Sequence, residues 1–210
     1  SFTTVMALAR DNGFQLVIVV AGTSKLLLKQ STDRLRKDLQ IEEIEGSLRW
    51  KLYINPADNE NTRRHIQQTF GEWSDSLVPP SERATVLITV MKNHGWLRKL
   101  VGLLGHLDLA GVPTLIIDDE ADQASLNTLV RQQRQSTTYQ RLLGLRDAIP
   151  HHTFLQYTAT PQAPLLINII DSLSPGFVEV LEPGTGYVGG QAFFTGNMPL
   201  IRVIDPEDIS

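Results

Sequence analysis

Apolar residues come in short unbroken runs separated by longer stretches with helical spacing. Runs at 15–20, 85–90 and 111–117 are rich in Val, Ile and Leu. Unbroken runs of that length fit strands buried on both faces of a parallel sheet. Shorter runs at 50–54, 153–157 and 177–181 read as further strands. Between them, apolar residues spaced three or four apart predict helices over about 2–10, from about Ser24, over 59–73, 96–107, 139–148 and 165–170. On the helix that starts near Ser24, Leu26, Leu27, Gln30, Leu35 and Leu39 are expected to face inward. Residues 74–83, with Pro79-Pro80, read as a loop, and 123–135 as a mobile loop or an exposed helix. Strand alternating with helix predicts an α/β domain whose mostly parallel sheet is covered on both faces. The Gly-rich stretch after Pro183 reads as an exit segment, so the expected organisation is a domain over 1–183 and a tail over 184–210.

Composition narrows the function classes. The chain has 210 residues, 41% hydrophobic and 20% charged, as a soluble globular chain does. No apolar run approaches a membrane span, so no membrane partner is expected. There is no Cys, which excludes disulfides, thiolate zinc sites and a Cys nucleophile and fits a cytoplasmic location. A net charge of −4 gives no bulk attraction to nucleic acid, so such contacts would be local and partly through backbone amides. The chain opens partway into a helix without an initiating Met, and is expected to be a piece of something longer.

The candidate chemistry lies at the end of the run 111–117. Asp118-Asp119-Glu120-Ala121-Asp122 places four carboxylates in five residues at one strand tip. Two unit charges about 4 Å apart repel by about 4 kcal/mol at an effective dielectric near 20. A cation, or helix-end N–H groups, must offset such crowding, and magnesium beside nucleotide phosphates is the obvious candidate. The ordinary alternative is that Asp118 and Asp119 cap a following helix, which would not need four acids.

Asp119-Glu120-Ala121-Asp122 spells the box that names the DEAD-box helicases. Thr158-Ala159-Thr160 resembles their next motif, and residues 22–30, from Gly22-Thr23-Ser24-Lys25, resemble their first nucleic-acid-contacting motif, with one extra residue and without its usual Pro and acidic positions. All three follow predicted strands in the expected order. The chain therefore resembles the first motor half of a superfamily 2 helicase-like ATPase. Its wording is most similar to the branch in which that region precedes a putative endonuclease domain. The resemblance implies a three-layer RecA-like P-loop NTPase fold, ATP and Mg2+ as cofactors, and nucleic acid as partner, DNA ahead of RNA. It also implies a second motor domain and a downstream domain in the parent chain. Carried over, Asp119 binds the magnesium shell, Glu120 activates water, and Asp122 bonds to Thr158 or Thr160 to link nucleotide state to motor closure. Asp118 is an addition to the usual pattern, so Asp118 and Asp119 could share the metal. Gly22, Thr23, Ser24, Lys92 and Asn93 would contact nucleic acid, where helix capping is the ordinary alternative.

One part is missing. No G-x-x-x-x-G-K-[ST] phosphate loop occurs in the sequence; in such motors it would directly precede the first helix. The expectation is an ATP hydrolase as part of a longer protein, inactive as this piece alone. Two rivals remain. One is a non-catalytic interaction module with a degenerate motor fold. The other is a dinucleotide-binding oxidoreductase, suggested by Gly184-Thr185-Gly186-Tyr187-Val188-Gly189 with Asp205 about 20 residues on. Gly196 and Pro199 interrupt the helix that this fingerprint needs. Arg63-Arg64-His65 and Arg131/Arg134 read as solvated faces, and His151-His152 lacks metal-ligand spacing.

Overall fold

The strand Leu16–Ala21 (β1) is buried at all six positions, which only a central strand covered on both sides can be. In the computed structural model, residues 2–43, 49–121, 137–159, 173, 175–182 and 184 are described. The elements around β1 are α1 (Phe2–Asp11), α2 (Lys25–Asp38), β2 (Trp50–Ile54), α3 (Glu60–Ser74), β3 (Thr85–Met91), α4 (His94–Leu104), β4 (Thr114–Asp119), α5 (Thr137–Asp147) and β5 (His152–Tyr157). The five strands pair in the order β2-β3-β1-β4-β5, and every pair is parallel. The fold is thus a three-layer α/β sandwich of the RecA-like, Rossmann type, as expected.

The period of two along each strand divides the core. Leu16, Ile18 and Val20 of β1, Val86, Ile88 and Val90 of β3, and Ile116 of β4 pack with Ile66 and Phe70 of α3, Leu97, Leu100, Leu103 and Leu104 of α4, and Tyr139, Leu142 and Leu145 of α5. The alternate residues, Val17, Val19, Leu87, Leu115 and Ile117, pack with Phe2, Met6 and Ala9 of α1 and Leu35 of α2. Full burial of one such aliphatic side chain contributes about 1.5–3 kcal/mol, and both faces of the sheet draw on it.

Helix α2 departs from the expected facing. Its buried residues are Leu28, Thr32 and Leu35, whereas Leu26 is 65% exposed and Gln30 is also outside. Ser24 is the cause. Its side chain accepts the Leu27 N–H as the N-cap and so fixes where the helical turn starts. Thr32 reads as polar in sequence, but its hydroxyl donates to Thr89 Oγ1 of β3 at 3.3 Å within the buried face.

Two boundaries also differ. Strand β4 runs two residues further than 112–117, because Asp118 and Asp119 remain in register with Gln156 and Tyr157 of β5. The strand expected over 177–181 does not form: Phe177, Val178, Val180 and Leu181 are exposed and join no ladder among the described residues. An apolar run alone does not make a strand. The expected helix over 165–170 lies outside the described residues. The chain divides into two compact units, Ser1–Pro175 and Gly176–Ser210. Among the described residues, no helix is long and apolar enough to cross a membrane.

The phase of α2 is testable. Leu35→Ala should cost about 2–5 kcal/mol in urea unfolding, while Leu26→Ala should stay within about 0.5 kcal/mol of the parent. Equal costs would show that the helix is turned differently. A second outcome concerns Asp58, whose carboxyl is held below its ordinary 3.8 chiefly by the hydrogen bond from Arg63 Nε at 2.6 Å. A depressed carboxylate adds stability above the unfolded-state value, and that increment is lost as pH falls through the folded value. Asp58→Asn should therefore leave a shallower acid limb below about pH 4 in a pH series of melting temperatures, with little change in salt dependence elsewhere.

Candidate functional site at the strand tips

Because all five strands run one way, their carboxyl ends share one rim: Ile54, Ala21, Met91, Asp119 and Tyr157. Ligands of open α/β sheets bind outside this rim, at the strand where successive connections change face. Strand β1 is that strand here. The helix after it, α2, packs on the α1 side, and the helices after β2 and β3 pack on the other.

The residue that organises the rim is Lys92, directly after β3. Its side chain and that of Asp118 are both 0% exposed, and Nζ is 2.8 Å from Asp118 Oδ1. The same ammonium donates to the carbonyl oxygens of Asp119 at 2.6 Å and Glu120 at 2.7 Å. Of the three ammonium donors, two end on these carbonyls, and the Asp118 contact is a close ion pair. The Lys92 backbone N–H donates to Ala21 O at 3.0 Å. Since β1 lies between β3 and β4, one lysine ties the ends of three strands together.

The backbone turns sharply beyond β4. Glu120 has φ +55, a left-handed conformation that costs a non-glycine residue about 1–2 kcal/mol. The next N–H, of Ala121, donates to Tyr157 O at 3.1 Å and keeps the tip attached to β5. The Glu120 side chain is half-buried.

Asp119 is 8% exposed, and its Oδ2 accepts from Ser31 Oγ of α2 at 3.3 Å. Alternation along β4 explains the parting of the two aspartates. Asp119 follows the face of Leu115 and Ile117 toward α2, and Asp118 follows Ile116 toward the opposite layer. Asp118 and Asp119 therefore do not converge on one metal, contrary to the expectation that they could share it. The cation that offsets Asp118 is Lys92. Among the described residues, no group of three or more His, Asp or Glu side chains is gathered to hold a metal ion. Magnesium needs fewer: one or two carboxylates, waters and phosphate oxygens suffice, and Asp119 with Glu120 fits that donor set.

The remaining sequence-derived residues are placed as follows. Thr158 is half-buried and follows Tyr157, which is in register with Asp119, so it shares the acidic tip's end of the sheet. Asp122 and Thr160 lie outside the described residues. Thr23 and Ser24 are exposed at the start of α2, though the Ser24 hydroxyl already caps the helix. Asn93 caps α4, its Oδ1 accepting the Gly95 N–H at 2.9 Å. Lys92 does not reach a nucleic acid, because its ammonium is enclosed; this corrects its expected role. Gly22 is buried, and a Cβ there would lie 2.7 Å from Leu27 Cδ1 and 2.8 Å from Leu27 Cβ. Ser31 was not legible as a site residue, since nothing in its spacing tells which β4 acid α2 meets. Two shallow hollows among the described residues, lined by residues such as Arg36, Glu42, Trp50 and Tyr53, lie away from the acidic tip.

No family model and no curated protein sequence matches the chain. A solved structure described as Drosophila ORC bound to DNA is similar over 80% of this chain and 79% of its own, at 14% identity and a TM-score of 0.26. A likeness of that size carries nothing about function.

Gly22→Ala should force the first turn of α2 away from the rim and cost about 1–3 kcal/mol in urea unfolding. An unchanged midpoint would mean that Leu27 gives way freely.

Proposed function

We propose that the chain is the first motor domain of a DEAD-like superfamily 2 ATPase, working on nucleic acid within an endonuclease system. The observation that carries the reading is the acidic tip. Asp119 ends a buried β4 and Glu120 follows it on a turn, beside Thr158 after β5 and on the same rim as the start of α2. Under this reading ATP and Mg2+ are the cofactors. Bound magnesium would neutralise charge developing on the transferred phosphate. Asp119, steadied by Ser31, would hold the water shell of the ion. Glu120 would orient the attacking water. Thr23 and Ser24, with the backbone N–H groups of the first α2 turn, would receive a phosphate of the nucleic acid, DNA ahead of RNA. Turnover belongs to a longer protein that supplies a phosphate loop and a second motor domain.

A second reading keeps the fold without turnover, as an interaction module. The 210 residues contain no phosphate loop, and one of the acids is consumed by Lys92. The oxidoreductase reading has little left: the strand meant to precede its glycines does not form, and 185–190 lie outside the described residues.

Calorimetric titration of the 210-residue chain with magnesium and ATP should show no micromolar binding. In a longer chain that carries the phosphate loop, Glu120→Gln should lower hydrolysis by roughly 10²–10⁴-fold while nucleotide still binds. Hydrolysis that survives Glu120→Gln unchanged would sink the motor reading, and a loop-bearing chain that binds nucleotide without hydrolysis would favour the module.

A further inference from the structure

We propose that Lys92 is a positioning residue, whose buried ammonium clasps Asp118 and the carbonyls of Asp119 and Glu120 and thereby fixes the left-handed turn that presents Glu120 at the rim. The value of the turn for catalysis rests on the motor reading; the clasp itself does not.

In an extended strand, successive carbonyls point to opposite sides. Here two successive carbonyls, of Asp119 and Glu120, point at one atom, Lys92 Nζ, at 2.6 and 2.7 Å. Convergence requires a departure from extended backbone at this point, and Glu120 supplies it with φ +55. Glutamate gains nothing locally from that conformation, so the surroundings must impose it. The ammonium is placed to do so. It is fully enclosed, fixed at its root by the Lys92 N–H to Ala21 O bond, and held on its third side by Asp118 Oδ1 at 2.8 Å. Two carbonyls and a carboxylate around a point charge resemble a small cation cage with lysine as the resident ion. The Asp118 carboxylate is thereby committed inward.

The test compares Glu120→Gly with Glu120→Ala in two backgrounds, the parent chain and Lys92→Met/Asp118→Leu, which replaces the ion pair by apolar volume. In the parent, Gly should give the higher urea midpoint, because alanine resists positive φ and glycine does not. Without the clasp, residue 120 relaxes to negative φ and the advantage of Gly should vanish or reverse. A Gly advantage that is undiminished in the second background overturns the proposal. A measurement on the unaltered chain stands if the double substitution prevents folding. By nitrogen-15 NMR, the Lys92 ammonium protons should be visible at neutral pH and exchange slowly; rapid exchange with water overturns the clasp. In the loop-bearing chain, the double substitution should lower kcat at least tenfold with KM nearly unchanged, and a kcat that does not fall overturns the presentation of Glu120. If the loop-bearing parent proves inactive, the motor reading fails, and the midpoint comparison still decides the clasp.

Discussion

The ion pair between Lys92 and Asp118 is the constraint on which the rim depends. Moving either charge out of water costs several kcal/mol even after relaxation, and attraction within the pair offsets this only with good geometry and filled hydrogen-bond positions. On the ammonium side these conditions are met: Nζ is 2.8 Å from Asp118 Oδ1, and it donates to two carbonyl oxygens. A pair of aliphatic residues would fill the same space without the desolvation penalty. What aliphatic residues cannot do is bind backbone oxygens. The pair thus specifies a conformation at the end of β4 more than it stabilises the sheet, whose cohesion comes from the two apolar faces.

The crowding of acids that sets this chain apart resolves through strand geometry. Alternation sends Asp118 toward the layer of α3, α4 and α5 and Asp119 toward α2, so repulsion between neighbours in sequence is relieved by direction as well as by a counter-charge. Asp119 meets a hydroxyl, Ser31, which donates to the carboxylate. Glu120, on a turn rather than a strand, follows neither face. Three consecutive acids thus have three different environments, which is what a site needs if its carboxylates are to act differently.

Much of this fold was legible in the sequence because buried parallel strands leave unbroken Val and Ile runs. The runs at 15–20, 50–54, 85–90 and 153–157 each became a strand within a residue or so. The failures share one cause: their outcome depended on partners distant in sequence. The inward face of α2 was misread because Thr32 counts as polar until Thr89 is seen opposite it. The run 177–181 has strand composition but pairs with no strand among the described residues. Lys92 reads as a surface lysine after a strand, and only the strand order, with β1 between β3 and β4, shows that it reaches Asp118. The acidic tip was visible as chemistry, yet its internal cation was not, since the two residues are 26 positions apart in sequence (118 minus 92).

Helix α2 begins at the exposed Ser24 cap and carries Ser31 two turns later, about 10 Å along the axis. A rod of hydrogen-bonded backbone is stiff over that length. Whatever docks against its blunt end therefore shares a lever with the Asp119 carboxylate, and a tilt at one end is felt as a pull at the other.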